Sequence, residues 1–148
     1  MPKDKLYFWL EHQLKPYHIV INENSIHETL SGIKLQNVNV FYQNISISDI
    51  DYIQISLLGL YNNLTLKNIH INKTLDKYFS SEPFTINLKH SLFKYNRCDI
   101  TINGKDLQAH GFITPQKIYI NFDKITNGLK TLVSKNKDGW YYEKQFIK

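Results

Sequence analysis

The sequence predicts a mainly β fold with a minor α+β component: a curved antiparallel sheet or half-barrel with a helix near each end. Three observations carry this. Isoleucine, leucine, tyrosine and phenylalanine dominate the apolar residues, while alanine occurs once, at Ala109. β-Branched and aromatic side chains suit a pleated, half-buried surface, and a chain nearly without alanine lacks the best helix former. Apolar and polar residues alternate over most of the length, the period of a strand with one buried face. That alternation changes phase at two asparagines in matching contexts, which points to bulged and therefore bent strands.

The first helix is predicted over residues 4–15. Leu6, Leu10 and Leu14 are spaced by four, Trp9 shares their stripe, and Pro16 stops the helix. Tyr7, Phe8 and Trp9 make it aromatic, but it is short and has no strongly basic face, so it is expected to pack on the sheet. From Tyr17 to Asn72 the pattern is β: Ile19 and Ile21, then Val38, Val40 and Tyr42, Ile45 and Ile47, Ile53 to Leu57, Leu64 and Leu66, Ile69 and Ile71. Polar breaks at 22–25, at Ser31-Gly32 and at Asn62-Asn63 read as turns.

Two segments in this region share one pattern. Ile33-Lys34-Leu35-Gln36-Asn37-Val38-Asn39-Val40 and Leu64-Thr65-Leu66-Lys67-Asn68-Ile69-His70-Ile71 each place an asparagine where the apolar phase flips. An extra residue at Asn37 and at Asn68 would keep Leu35, Val38 and Val40, and likewise Leu66, Ile69 and Ile71, on the inner face.

A short helical turn is expected over residues 75–79 and a connection over 80–83. Strands follow with Phe84, Ile86 and Leu88 and then over 99–103. Asn103-Gly104 is read as a type I′ hairpin turn, with a return strand over 105–113. Lys117 to Phe122 forms the next strand. Asp123 is expected to cap a second helix over 123–134, with Ile125, Leu129, Leu132 and Val133 as its apolar stripe. Asp138-Gly139 turns the chain into a last strand over 140–147, where Trp140 and Tyr142 share one face and Tyr141 takes the other.

A chain of 148 residues fits one domain, 1–148, long enough for a core that needs no disulfides. The net charge of +5 comes from lysines spread along the chain, with Arg97 as the one arginine. No basic stripe or ordered motif accompanies them, so nucleic acid is not an expected partner. Cys98 stands alone and reads as a small core residue. The histidines His12, His18, His27, His70, His90 and His110 show no metal-ligand spacing, and no metal or other cofactor is expected. No nucleophile elbow, phosphate loop or zinc-protease motif occurs, and the chain is read as not an enzyme. His27-Glu28 is the one adjacent pair with catalytic capacity, and a solvated loop is its expected setting. Asp49 with Asp51, or Asp99 with Asp106, would need a shared cleft to work as an acid–base pair.

The order of elements, with the Leu-x-Leu-x-Asn-(Val/Ile)-x-(Val/Ile) pattern early and Asp138-Gly139-Trp140-Tyr141-Tyr142 at the close, resembles the periplasmic part of type II secretion system protein N and the related AsmA-like envelope proteins. The resemblance covers most of the chain with short, degenerate motifs. It implies a curved β module on the periplasmic side of the inner membrane of a Gram-negative bacterium, serving secretion-apparatus assembly or lipid handling. It brings no catalytic residues. An N-terminal hydrophobic anchor precedes such a domain in the family, and this sequence, which carries none, is expected to be a trimmed form. Expected partners are therefore a lipid or an envelope or secretion protein, and the inner membrane through that anchor. The lipid-facing candidates are Ile53, Ile55, Leu57, Ile69, Ile71, Ile118 and Ile120. The alternative is a β-sandwich that binds carbohydrate or protein through exposed tyrosines such as Tyr141.

Overall fold

The computed structural model describes residues 8, 11–12, 14–23, 25–28, 30–57, 61–73, 75, 82–94 and 96–146. Among them the chain forms β1 (Ile19–Asn22), β2 (Ser25–Glu28), β3 (Gly32–Tyr42), β4 (Ile45–Leu57), β5 (Tyr61–Ile71), β6 (Phe84–Ser91), β7 (Cys98–Gly104), β8 (Gln108–Ile113), β9 (Lys117–Lys124), β10 (Ser134–Asn136) and β11 (Gly139–Gln145). All pair antiparallel in one sheet, in the order β1-β3-β4-β5-β6-β7-β8-β9-β11-β10, with β2 also on β3. The sheet is open, since β1 and β10 end the order without meeting. The expected mainly β class is what forms, as one sheet rather than the sandwich of the alternative reading.

From β3 to β9 consecutive strands are neighbours, because antiparallel strands need only a hairpin between them, while β11 lies between β9 and β10. Gln43 and Asn44 both take positive φ, 49° and 66°, in the two-residue turn that joins β3 to β4. Such a turn matches the twist of the strands it connects.

Period-two alternation then sorts side chains onto two faces. Across the inner face Leu35 lies opposite Ile53, Ile53 opposite Leu66, and the row continues through Ile86, Ile102, Ala109 and Phe122. Ile33, Leu35, Val38 and Leu107 are fully buried. They belong to one core cluster that also takes in Ile21, Ile50, Phe84 and Leu129. Each fully buried aliphatic side chain contributes about 1.5–3 kcal/mol, and this face holds the fold together.

The repeat seen in the sequence is a fault line across the sheet. Asn37 and Asn68 both adopt left-handed backbone, φ 52° and 54°, which asparagine tolerates better than most residues. β3 and β4 pair Gln36 with Tyr52 and Val38 with Ile50, passing over Asn37 and Asp51. β4 and β5 pair Tyr52 with Lys67 and Ile50 with Ile69, passing over Asp51 and Asn68. Three strands thus carry the extra residue side by side, and register between them is kept at this level, though β3 and β4 shift once more between Val40 and Phe41. β6 carries none, so between Leu66 and Ile69 the register shifts and Lys67 with Asn68 face Thr85 alone, a β-bulge. On the other side, β1 and β2 hold one register against β3 and are interrupted at the same level. Leu35, Val38, Leu66 and Ile69 consequently stay on the core side, with Val40 and Ile71 at its margin.

Several expectations are corrected. No α-helix forms over 123–134: β9 continues to Lys124, a 3-10 turn covers Leu129–Thr131, and Ser134 opens β10. The apolar residues fall in a turn-rich connection instead, with Leu129 buried, Ile125 and Val133 against the core, and Leu132 exposed. Asn103-Gly104 is not the hairpin turn, because Gly104 still pairs with Phe84 as the last residue of β7, and the return strand begins at Gln108. Glycine is needed at 104 for close approach: a Cβ there would lie 2.8 Å from the Phe84 Cβ. Asn62-Asn63 lies within β5 rather than in a break, and His27-Glu28 lies in strand β2 rather than in a loop.

Of the first helix, Phe8, Glu11, His12 and Leu14 are helical, and the other residues over 4–13 lie outside the described residues. Pro16 sits inside a closing 3-10 turn, Lys15–Tyr17, which His18 ends in left-handed conformation. The expected turn over 75–79 lies outside the described residues beyond Leu75, as do Ser80 and Ser81 in the connection that follows and Ile147 of the last strand.

Candidate functional site

The seven residues expected to face lipid divide by position. Ile53 and Ile69 are buried core. Ile55, Ile71 and Ile120 are partly exposed and pack against that core. Ile118 is half-buried, and Leu57 is exposed at a strand end. Register joins some of them directly: Ile55 lies opposite Leu64, Leu64 opposite Leu88, and Leu88 opposite Ile100. Leu64, Leu66, Ile86 and Leu88 sit on central strands and face inward, yet all keep some contact with solvent. The apolar face is therefore tightly packed towards the fault line and looser towards the end where β4 meets β5.

The outer face is polar, with an aromatic stack set into it. Phe112 of β8, Tyr119 of β9 and Tyr141 of β11 fall on the outward phase of their strands. Their ring centroids are spaced by 5.8 Å and again by 5.8 Å, with interplanar angles of 25° and 20°. The Arg97 guanidinium lies 4.5 Å from the Phe112 centroid and bonds Asp99 at 2.9 Å, extending the stack with a cation. The inner faces of these rings cover one another, so the stack stiffens the sheet rather than presenting a flat aromatic platform. Trp140 and Tyr142 take the opposite face, as the alternation predicts, and Lys130 and Lys135 approach the Trp140 ring at 5.7 and 5.5 Å.

A groove of about 460 Å³ runs beside the stack, lined by Asp99, Thr101, His110 and Asn121 among others. His110 Nδ1 meets Asp123 Oδ2 at 2.8 Å in the open. A second groove, about 570 Å³, shares Arg97 and Asp99 with the first and continues past Lys89 and Lys94 to Tyr61 and Phe93. Sequence reasoning had not singled out this pair of grooves. Their signal was the outward phase of Phe112 and Tyr119, one strand apart.

The other candidates remain apart. His27 and Glu28 are exposed on strand β2, opposite Lys34 and Ile33. Asp51 accepts a 2.9 Å bond from the Asn68 amide and lies 3.4 Å from His70 Nε2, at the fault line. Asp49 is exposed two residues away on the same strand. Asp99 lies near the start of β7, and Asp106 follows its far end, so no cleft unites them. Burial pushes the Cys98 thiol above its ordinary range, and neighbouring Asp99 adds to the effect, while a backbone hydrogen bond at Lys89 opposes it. Such a thiol is a poor nucleophile at neutral pH. No group of three or more His, Cys, Asp or Glu among the described residues has the geometry to hold a metal ion.

Comparison with known proteins finds no matching family model, no similar curated protein and no similar solved structure.

Proposed function

We propose that this chain is a non-enzymatic module of the bacterial envelope, on the periplasmic side of the inner membrane, whose sheet handles lipid by holding acyl chains along its apolar inner face. The observation that carries this reading is the loosened half of that face. Aliphatic side chains run strand after strand from Ile55 through Leu64 and Leu88 to Ile100, and all but the last are only partly covered. Aliphatic surface left part-open in contiguous rows marks an interaction site more than a finished core. Its occupant on this reading is an acyl chain, because the row is aliphatic and free of charge. The resemblance to secretion protein N and AsmA-like proteins supplies the envelope setting.

The test is lipid retention in native mass spectrometry, alongside thermal melts, for the wild type and Ile55→Gln. Lipid should stay with the wild type and leave the variant, with only a small change in Tm. A buried amide without partners would instead cost about 1–3 kcal/mol. A large fall in Tm with bound lipid unchanged, or no lipid on the wild type, rejects the acyl-chain site.

A further inference from the structure

We infer that the end of the sheet where Leu30, Leu57, Tyr61 and Phe93 stand exposed docks on an anionic bilayer surface. This goes beyond the acyl-chain reading, since it concerns the end of the sheet, which borders the inner face at Leu57, rather than that face itself.

The antiparallel meander brings alternate connections to one end. Leu57 N–H donates to Ser31 O at 2.6 Å and Tyr61 pairs with Ser91, so these segments are neighbours, while Phe146, whose N–H donates to Gln116 O at 2.8 Å, lies at the same end several strands away. Large apolar side chains stand out there. Leu30 is fully exposed, Phe93 is 73% exposed, and Leu57, Tyr61 and Phe146 are exposed as well. Tyr61 and Phe93 gather into one tip, their centroids 6.3 Å apart.

Single exposed apolar residues need no explanation, but a group on adjacent connections does. Charge selects the occupant. The groove behind the Tyr61–Phe93 tip carries Lys89, Lys94 and Arg97, with Asp99 as its one acid, already paired to Arg97. Lys89 and Lys94 make no ion pair among the described residues. Aromatic and leucine tips with lysines just behind them fit the layering of a membrane interface, where rings sit at headgroup depth and ammonium groups meet phosphates. A protein partner would ask for complementary acidic and apolar pockets, while an anionic bilayer supplies both layers without them.

The test is co-sedimentation with phosphatidylglycerol/phosphatidylethanolamine vesicles and with phosphatidylcholine vesicles. The wild type should bind the anionic vesicles, more weakly as salt rises, and bind phosphatidylcholine far less. Leu30→Ser with Phe93→Ser should weaken binding roughly ten-fold or more, from the apolar area no longer buried. Lys89→Glu or Lys94→Glu should each weaken it roughly five-fold or more. Ile45→Ser, an exposed site at the opposite end, should bind as the wild type does. Phe93→Trp should add a blue-shifted emission with anionic vesicles that the wild type lacks. Absence of sedimentation, equal binding to phosphatidylcholine, equal loss in Ile45→Ser, or no added blue shift in the Phe93→Trp variant overturns the proposal. Ile55→Gln should leave vesicle binding intact, so failure of this docking and failure of the acyl-chain site are separately visible.

Discussion

Asn37 and Asn68 decide where the sheet bends, and each does so with backbone that few residues accept. Asn68 also bonds Asp51 through its side chain and Thr85 through its N–H. Asn68→Ala should therefore cost about 1–2 kcal/mol in urea melts, from left-handed strain and the lost amide bond, whereas Asn68→Gly should keep most of the stability. Equal costs for the two would show that backbone conformation is not what the asparagine supplies. These positions were legible because an apolar phase flip in a strand has few other meanings. Asp51 was legible by the same sign, since Ile50 and Ile53 are also spaced by three and both buried, but aspartate lacks the asparagine signature and the site passed as a plain strand. Cys98 gives a second residue-scale test. Because burial, then Asp99, raises its pKa, the thiolate forms only above the ordinary thiol range. Its alkylation by iodoacetamide should lag free cysteine at pH 8 and catch up on unfolding; equal rates in the folded state would remove the burial argument.

At the scale of elements, the strands were readable wherever alternation was long, and the connections were not. The segment from Ile125 to Val133 shows why. Its apolar residues fit a helical stripe, yet Asn127-Gly128 interrupts it, and Thr126 spends its hydroxyl on the Leu129 N–H in a single turn. Tertiary packing then buries Leu129, covers Ile125 and Val133 in part and leaves Leu132 exposed. Leu129→Ala should cost about 2–4 kcal/mol in chemical denaturation, and Leu132→Ala should stay within about 0.5 kcal/mol. Comparable losses at both sites would restore the helical stripe. Gly104 was misread for a related reason. Composition marks a glycine but does not say whether it answers a positive φ or a close neighbour, and here the neighbour is Phe84. The candidate site was readable only in part. Alternation assigns Ile53, Ile55 and Ile120 to one face, but how tightly each is covered depends on elements far away in sequence.

For the whole molecule, the consequence of a single open meander is graded stability. Each strand leans mainly on its two neighbours, so local opening can proceed from an edge without disrupting the centre. The edges are short and broken: β10 has three residues, and the β1–β2 edge is split at the fault line, which also protects them from pairing with other chains. The centre is the reverse, with β3, β4 and β5 the long strands that hold Ile33, Leu35, Val38, Ile50, Ile53 and Ile69. Native-state amide exchange should then be slowest in β3 to β5, faster through β9, and fastest in β10 and β2. The Asn68 bulge sets a boundary, because at that level β5 and β6 share an irregular register while β3, β4 and β5 remain matched. Denaturant should release β10 and β11 below the midpoint that opens β3 to β5. A single exchange free energy across all the strands would instead mean that the sheet is one cooperative unit. The fault line would then shape the sheet without dividing its stability.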